Sequence, residues 1–310
     1  MGSFRQVDQL DCLNMSVPRG TREAVTNAGY ERQLTAWIHR ACLLEATAPK
    51  PGNVHPGAAF ADLRYVDFVA SAEVAAPALA AAARVGVGAA VLAAIQATRG
   101  RVGTNTNLGI VLLIAPLAAV PQGIPLADGI NAVLAGLTMR DAELVFEAIR
   151  TAQPGGLGQV AEGDVSTAPT MDLLCAMGMA ADRDSVARQY VTDFEIPLSV
   201  GIPIMRHLVN RSPGRTLDGV VNLHLHFMAR WPDSLIARKC GLEVAHEAQH
   251  RADRVLEWQW PESPRGIAEI QEFDTWLRAD GHRRNPGTTA DLVAATLFAY
   301  LREGGVFSDP

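Results

Sequence analysis

The sequence predicts an all-α fold: one large multi-helix bundle of roughly twelve helices, with no significant sheet. Three observations carry that expectation. Apolar residues recur at three- and four-residue spacing along most of the chain. Long alanine-rich stretches supply helix propensity and let helices approach closely. Short apolar–polar alternations, the mark of half-buried strands, are almost absent. With 310 residues, 48% hydrophobic and 19% charged, the chain can bury a large core and is too apolar for disorder.

Residues 1–28 have no clear period and contain Gly, Pro and Asn, so a loose N-terminal arm is expected there, followed by a single all-helical domain over 29–310. The first residues include Arg5, Asp8 and Asp11 without a long apolar stretch, unlike a secretory signal. From Glu31 the pattern is helical, with Leu34, Ile38, Cys42 and Glu45 on one face. Pro49, Pro51 and Gly52 stop that helix and open a loop through Gly57. Helical character resumes over 62–74, and Gly86, Gly88, Gly100 and Gly103 punctuate the alanine-rich part that follows.

Two runs have the hydropathy of membrane spans. The run 69–97 is interrupted by Glu73, Pro77 and Arg84, and the run 108–120 is too short and contains Pro116; both read as core helices. Further helices are expected over 126–137, 140–152, 170–179, 184–192, 200–210, 217–228, 239–258, 267–279 and 289–302. The chain has no fixed-period repeat and no strand–Gly-loop–helix unit followed by an acid, which argues against repeat, Rossmann and P-loop folds.

The formal net charge of -6 and the 6% aromatic content argue against nucleic acid and anionic membrane as partners. Cys12, Cys42, Cys175 and Cys240 show no CxxC spacing, the usage of reduced thiols in a cytoplasmic protein.

Five polar clusters interrupt the apolar background. The first is Glu45 followed by Pro49-Lys50-Pro51-Gly52-Asn53-Val54-His55. Two prolines stiffen the backbone around Lys50, and Lys, Asn and His at a helix end suit an anion; a plain helix–loop connection is the alternative. The second is Gly103-Thr104-Asn105-Thr106-Asn107-Leu108-Gly109, ahead of a buried helix whose free N–H groups suit phosphate or carboxylate. Capping alone would also explain it. The third is acidic: Glu162, Asp164, Asp172, then Asp182-Arg183-Asp184 with Arg188 and Gln189. Clustered carboxylates suit Mg²⁺ shared with substrate phosphates, and helix caps are the alternative. The fourth runs from Asp233 to Gly241, where Arg238 and Lys239 could clamp phosphates or form a solvated basic turn. The fifth is Asn285-Pro286-Gly287-Thr288-Thr289-Ala290-Asp291-Leu292. Thr288 with Asp291 has the form of a capping box, and the amides of 287–289 form an anion cradle or a simple cap.

His246, Glu247 and His250 match HExxH on a predicted helix, with Glu269 or Glu272 as an imaginable third zinc ligand. The many charges around them (Glu243, Arg251, Asp253, Arg254, Glu257) are unlike a buried metalloprotease helix. His224 and His226, two apart, face different ways on a helix.

Taken together, Glu45…Pro49-Lys50-Pro51-Gly52, Asn105-Thr106-Asn107-Leu108-Gly109 and Pro286-Gly287-Thr288-Thr289-Ala290-Asp291 resemble the triphosphoribosyl-dephospho-CoA synthase family, in the family's order over roughly residues 30 to 303. The chain departs from the family's commoner pattern at Asn53-Val54-His55, at Asn107-Leu108, and at Thr288-Thr289. It is more similar to a divergent branch, for which an acceptor in pterin-type C1-carrier biosynthesis is the alternative substrate. A zinc metallopeptidase and a non-catalytic nucleotide-binding protein are the readings from other classes.

The resemblance implies a transferase in which a dephospho-CoA hydroxyl attacks the ribose C1 of ATP and adenine leaves. It implies Glu45 and Asp291 as the catalytic carboxylates. Lys50, Asn53, His55, Asn105, Thr106, Asn107, Arg238, Lys239, Gly287, Thr288 and Thr289 would contact phosphate and nucleotide. Asp182 and Asp184, with Asp164 in reserve, would hold Mg²⁺. ATP and a small-molecule acceptor are the implied partners, with a homodimer among the assemblies open to the chain.

Overall fold

A computed structural model describes residues 19–154 and 165–307. These residues form fifteen α-helices and one π-helical turn, with only isolated β-bridges. The all-α expectation holds, and none of the described helices is long and apolar enough to cross a membrane. In order the helices are α1 (Arg19–Thr47), α2 (Tyr65–Ala80), α3 (Ala82–Val85), α4 (Val87–Val102), α5 (Leu108–Ala119), α6 (Leu126–Ala135), α7 (Met139–Ala152) and α8 (Leu173–Ala180). Then come α9 (Ser185–Val191), the π-turn Ile196–Gly201, α10 (Ile202–Arg211), α11 (Thr216–Arg230), α12 (Ser234–Cys240), α13 (Leu242–Glu257), α14 (Pro264–Arg278) and α15 (Gly287–Arg302).

Two corrections follow. The backbone is already helical from Arg19, inside the stretch expected to be a loose arm. The helix count slightly exceeds twelve: one glycine break falls where the alanine-rich part was expected to be punctuated, and another divides a segment expected to be one helix. Gly86 (φ +93) separates α3 from α4, and Gly241 (φ +92) separates α12 from α13 inside the 239–258 segment. A left-handed backbone ends a right-handed helix, and only glycine adopts it without strain.

The core is organised around α15. Thirteen of its sixteen residues are buried, and it packs against α1, α5, α10 and α11. Residues 110–118 of α5 are buried without interruption, as expected of a helix that is apolar all round. On one side α1, α2, α4 and α7 pack in series, and on the other α11, α13 and α14 do so. Along α1 the buried stripe is Leu34, Ile38, Ala41 and Glu45, at spacings of four, three and four. A carboxylate therefore ends an apolar stripe, at a position that belongs to the core.

Candidate active site

One large cavity, of about 1090 Å³, opens among the end of α1 and the starts of α5, α9, α12 and α15. Glu45 and Asn53 line it from the first cluster, Asn105, Thr106 and Asn107 from the second, and Asp182 and Asp184 from the third. Arg238 and Lys239 come from the fourth cluster, and Gly287, Thr288 and Asp291 from the fifth. Lys50, His55 and Thr289 do not reach its wall, and Asp164 lies outside the described residues.

Lys50 departs from its expected phosphate contact. It is fully buried, and its ammonium donates to the backbone carbonyl of Glu45 and pairs with the Glu45 carboxylate at 2.9 Å. The prolines flank a stiff loop, but the long side chain turns inward to Glu45 rather than outward to the cavity. The loop is clasped by α14: Asp274 accepts from the Gly52 amide at 2.7 Å, and Arg278 donates to the Asn53 carbonyl while pairing with Asp274. His55 turns away as well, with its Nδ1 accepting from the Gly57 amide at 3.2 Å. Burial, and then the Arg278 charge, push the His55 imidazole below its usual range.

Two buried asparagines border the cavity with one amide nitrogen committed. Asn107 donates to Thr98 at 3.0 Å and Asn53 donates to Asn285 at 2.7 Å, while the Oδ1 of each has no partner. Buried acceptors are normally satisfied, so these are two open places for a donor on a bound molecule. Asn107 holds the N-cap position of α5 without a side-chain cap bond, and Asn105, two residues earlier, accepts through Oδ1 from the amides of Asn107 at 3.3 Å and Leu108 at 3.1 Å. Thr106 is bonded to Ser71 at 2.6 Å.

Asp291 stands on the same wall as Glu45. Its carboxyl lies against Gly109 and the Ile110 amide at the start of α5. Burial pushes its pKa well above the ordinary carboxylate value, and the charges of Glu45, Asp233 and Asp184 push the same way. The same surroundings, burial first and then Glu45 and Asp291, raise the nearby Cys42 thiol to about 12. A carboxyl with a displaced proton affinity, beside a second carboxylate in a cavity wall, is a recurring acid–base arrangement.

The expected anion cradle at 287–289 is already engaged by a carboxyl of the protein. The Thr289 amide and hydroxyl each donate to Asp233 Oδ2 at 2.7 Å. The Gly287 amide turns back to the Asn285 carbonyl at 2.9 Å. Of the three amides only that of Thr288 remains, because the internal carboxylate satisfies the helix start that a ligand was expected to satisfy.

The far wall carries alternating charge. Asp184 caps α9, with Oδ1 accepting from the Val186 and Ala187 amides, and its Oδ2 pairs with Arg238 at 3.0 Å. Asp182 is exposed. Burial, then the neighbouring Arg238, lowers the Lys239 pKa. Arg99, Arg183 and Arg188 also line the cavity and were not singled out from the sequence. Arg183 and Arg188 were visible only as flanks of the acidic cluster, and Arg99 belongs to none of the five clusters.

The HExxH residues lie on α13, away from this cavity. His246 bonds Gln249 at 3.1 Å, Glu247 pairs with Arg251 at 2.7 Å, and no group of three metal-ligating side chains occurs among the described residues. His224 is wholly buried, and His226 bonds the Asn222 carbonyl at 2.8 Å.

A family model described as CitG, ATP:dephospho-CoA triphosphoribosyl transferase, matches residues 31–307. Among solved structures the chain is similar to a crystal structure of a protein from Archaeoglobus fulgidus assigned as a triphosphoribosyl-dephospho-CoA synthase. The two share 27% identity with a TM-score of 0.60, over 77% of this chain and 100% of that one. No curated protein sequence matches.

Proposed function

The chain belongs to the ATP:dephospho-CoA triphosphoribosyl transferase family, and from that premise we propose a division of labour among the residues of its cavity. The family's reaction uses ATP and dephospho-CoA. The bond between adenine and ribose C1 breaks, and a new bond forms between C1 and an acceptor hydroxyl oxygen. Adenine takes the electron pair of the broken bond. The hydroxyl's proton goes to the Asp291 carboxylate and from there to adenine, so the carboxylate is regenerated each cycle. A raised proton affinity suits a group that must both take and return a proton near neutral pH. Positive charge builds on the ribose as C1 loses its nitrogen, and the Glu45 carboxylate stabilises it from the same wall.

The observation that carries this proposal is the pairing of Glu45 and Asp291 on one cavity wall, one backed by Lys50 and the other set against the start of α5. Arg238 and Lys239, with Arg183 and Arg188, supply the cations for a triphosphate. The unpartnered Oδ1 atoms of Asn53 and Asn107 suit donors such as ribose hydroxyls or an exocyclic amine.

The donor set fits Mg²⁺ held mainly by the substrate's own phosphates. Asp182 is an open carboxylate, whereas both oxygens of Asp184 are already engaged by amides and Arg238. Magnesium needs only one or two protein carboxylates in such a site. When bound, it would neutralise phosphate charge.

The deciding experiment incubates the protein with ATP, Mg²⁺ and dephospho-CoA or another acceptor, and follows free adenine by chromatography. Adenine released in step with acceptor consumption is expected. ATP left intact with every acceptor tried would overturn the proposal.

A further inference from the structure

Asp233 is buried to 3% exposure and touches no part of the cavity, yet it is the most heavily bonded carboxylate near it. Its Oδ1 accepts from the amides of Leu235 and Ile236, both at 2.9 Å, at the start of α12. Its Oδ2 accepts from the amide and hydroxyl of Thr289, both at 2.7 Å, at the start of α15. Each oxygen thus receives two donors; burial raises the proton affinity of the carboxyl, and these hydrogen bonds from Ile236, Thr289 and Leu235 work against that rise in favour of the charged form. The carboxyl faces the positive ends of both helix dipoles, which favour its charged form.

The two helices carry different parts of the site. Helix α12 ends in Arg238 and Lys239, and α15 carries Asp291 in its second turn. A second chain of bonds runs parallel to the clamp: the Ser185 amide donates to Ser234 Oγ at 3.2 Å, and Ser234 donates to Thr288 Oγ1 at 3.1 Å. The starts of α9, α12 and α15 are therefore tied at one point.

We propose that Asp233 is a positioning residue, which fixes the phosphate-facing pair Arg238–Lys239 at a set offset from the Asp291 carboxyl. The inference rests on the transfer reaction proposed above. Long basic side chains adapt to a displaced phosphate, but attack at C1 does not tolerate a displaced carboxyl. Loss of the clamp therefore falls on turnover rather than on nucleotide binding. Asp233 acts on Asp291 through its charge as well. The charged and titratable groups around Asp291 are Glu45 and Cys42 on α1, backed by Lys50, together with Asp233 and Asp184. Removing one of the three anions lowers the Asp291 proton affinity.

The test is Asp233→Asn, because the amide keeps the shape but cannot accept at both ends. Steady-state adenine release should show kcat lowered by roughly 10- to 100-fold with KM for ATP within about threefold of the parent. The acid limb of the kcat/KM profile should move to lower pH, a shift that a merely structural role would not produce. Unchanged kcat with an unmoved acid limb would sink the inference. So would a loss that appears only in KM. If the asparagine variant does not fold, Thr289→Val removes one of the four donors and keeps the charge. A several-fold lower kcat is then expected, and parental kcat overturns the proposal. Adenine release by the parent protein separates the two levels: without it the transfer reaction itself is wrong, and with it only the role of Asp233 is in question.

Discussion

The Asp291 carboxyl fills the space where a side chain at Gly109 would begin: a Cβ there would stand 2.0 Å from Asp291 Oδ2. An alanine inside a helix ordinarily stabilises it by roughly 0.5–1 kcal/mol over glycine. At this position it must instead expel the carboxyl from its seat beside the Ile110 amide. Gly109→Ala should lower adenine release by about 100-fold or more, the usual effect of an ångström-scale misplacement, while circular dichroism stays helical. Parental turnover would mean that Asp291 need not stand where it does.

Asp291→Asn should abolish turnover and stabilise the protein at neutral pH. The sign follows from linkage. A carboxyl whose pKa is raised on folding carries no penalty below its ordinary value of 3.8, and destabilises the native state as pH rises from there through the folded value. The asparagine does not titrate, so its advantage in Tm should grow over that window and then level off. Thermal melts at several pH values check this, and an equal or lower Tm at neutral pH contradicts it.

Lys50→Met should destabilise the fold severely, because it leaves Glu45 without its buried counter-charge. Removing one partner of such a pair costs about 3–5 kcal/mol. Urea unfolding measures it. A loss below about 1 kcal/mol would place the pair in the class of exposed ion pairs.

Arg238→Ala should behave in the opposite way. Its bridge to Asp184 has side chains 34% and 27% exposed, so solvent screens it and stability should change little. KM for ATP should rise by roughly tenfold, the loss of one charge-assisted contact to phosphate. Parallel melts and ATP titrations separate the two effects.

Asn107→Ala removes the donor to Thr98 and the open Oδ1 together. Transfer should be lost and the fold kept, since one buried side-chain bond is worth about 1 kcal/mol. Normal adenine release by this variant would take the loop ahead of α5 out of the site.

Much of this arrangement was legible in the sequence, for identifiable reasons. Glu45 could be singled out because it continues an apolar stripe at helical spacing, where a carboxylate is out of place. The starts of α5 and α15 were visible because Asn, Thr, Pro and Gly gather where helices begin. The rest depended on distance and direction. Proline fixes a backbone angle but not where a four-carbon side chain goes, so Lys50 looked like a ligand when it is Glu45's partner. The bond from Thr289 to Asp233 joins residues 56 apart in sequence, and no local pattern reveals that a helix start is already occupied. Gly241 closes the fourth cluster yet falls inside the helix expected over 239–258, and only its backbone angle shows that it ends one helix and opens the next.

Helix α15 holds the centre of the core and also delivers Asp291 to the cavity. Asn53 and Asn285, which touch just ahead of it, are 232 residues apart. During synthesis the early helices must therefore wait, with their apolar faces uncovered, for the segment that closes them. That same closing step brings the Asp291 carboxyl, proposed above to move the proton, into place. A chain lacking α15 thus lacks both the centre of the core and the carboxyl proposed to move the proton.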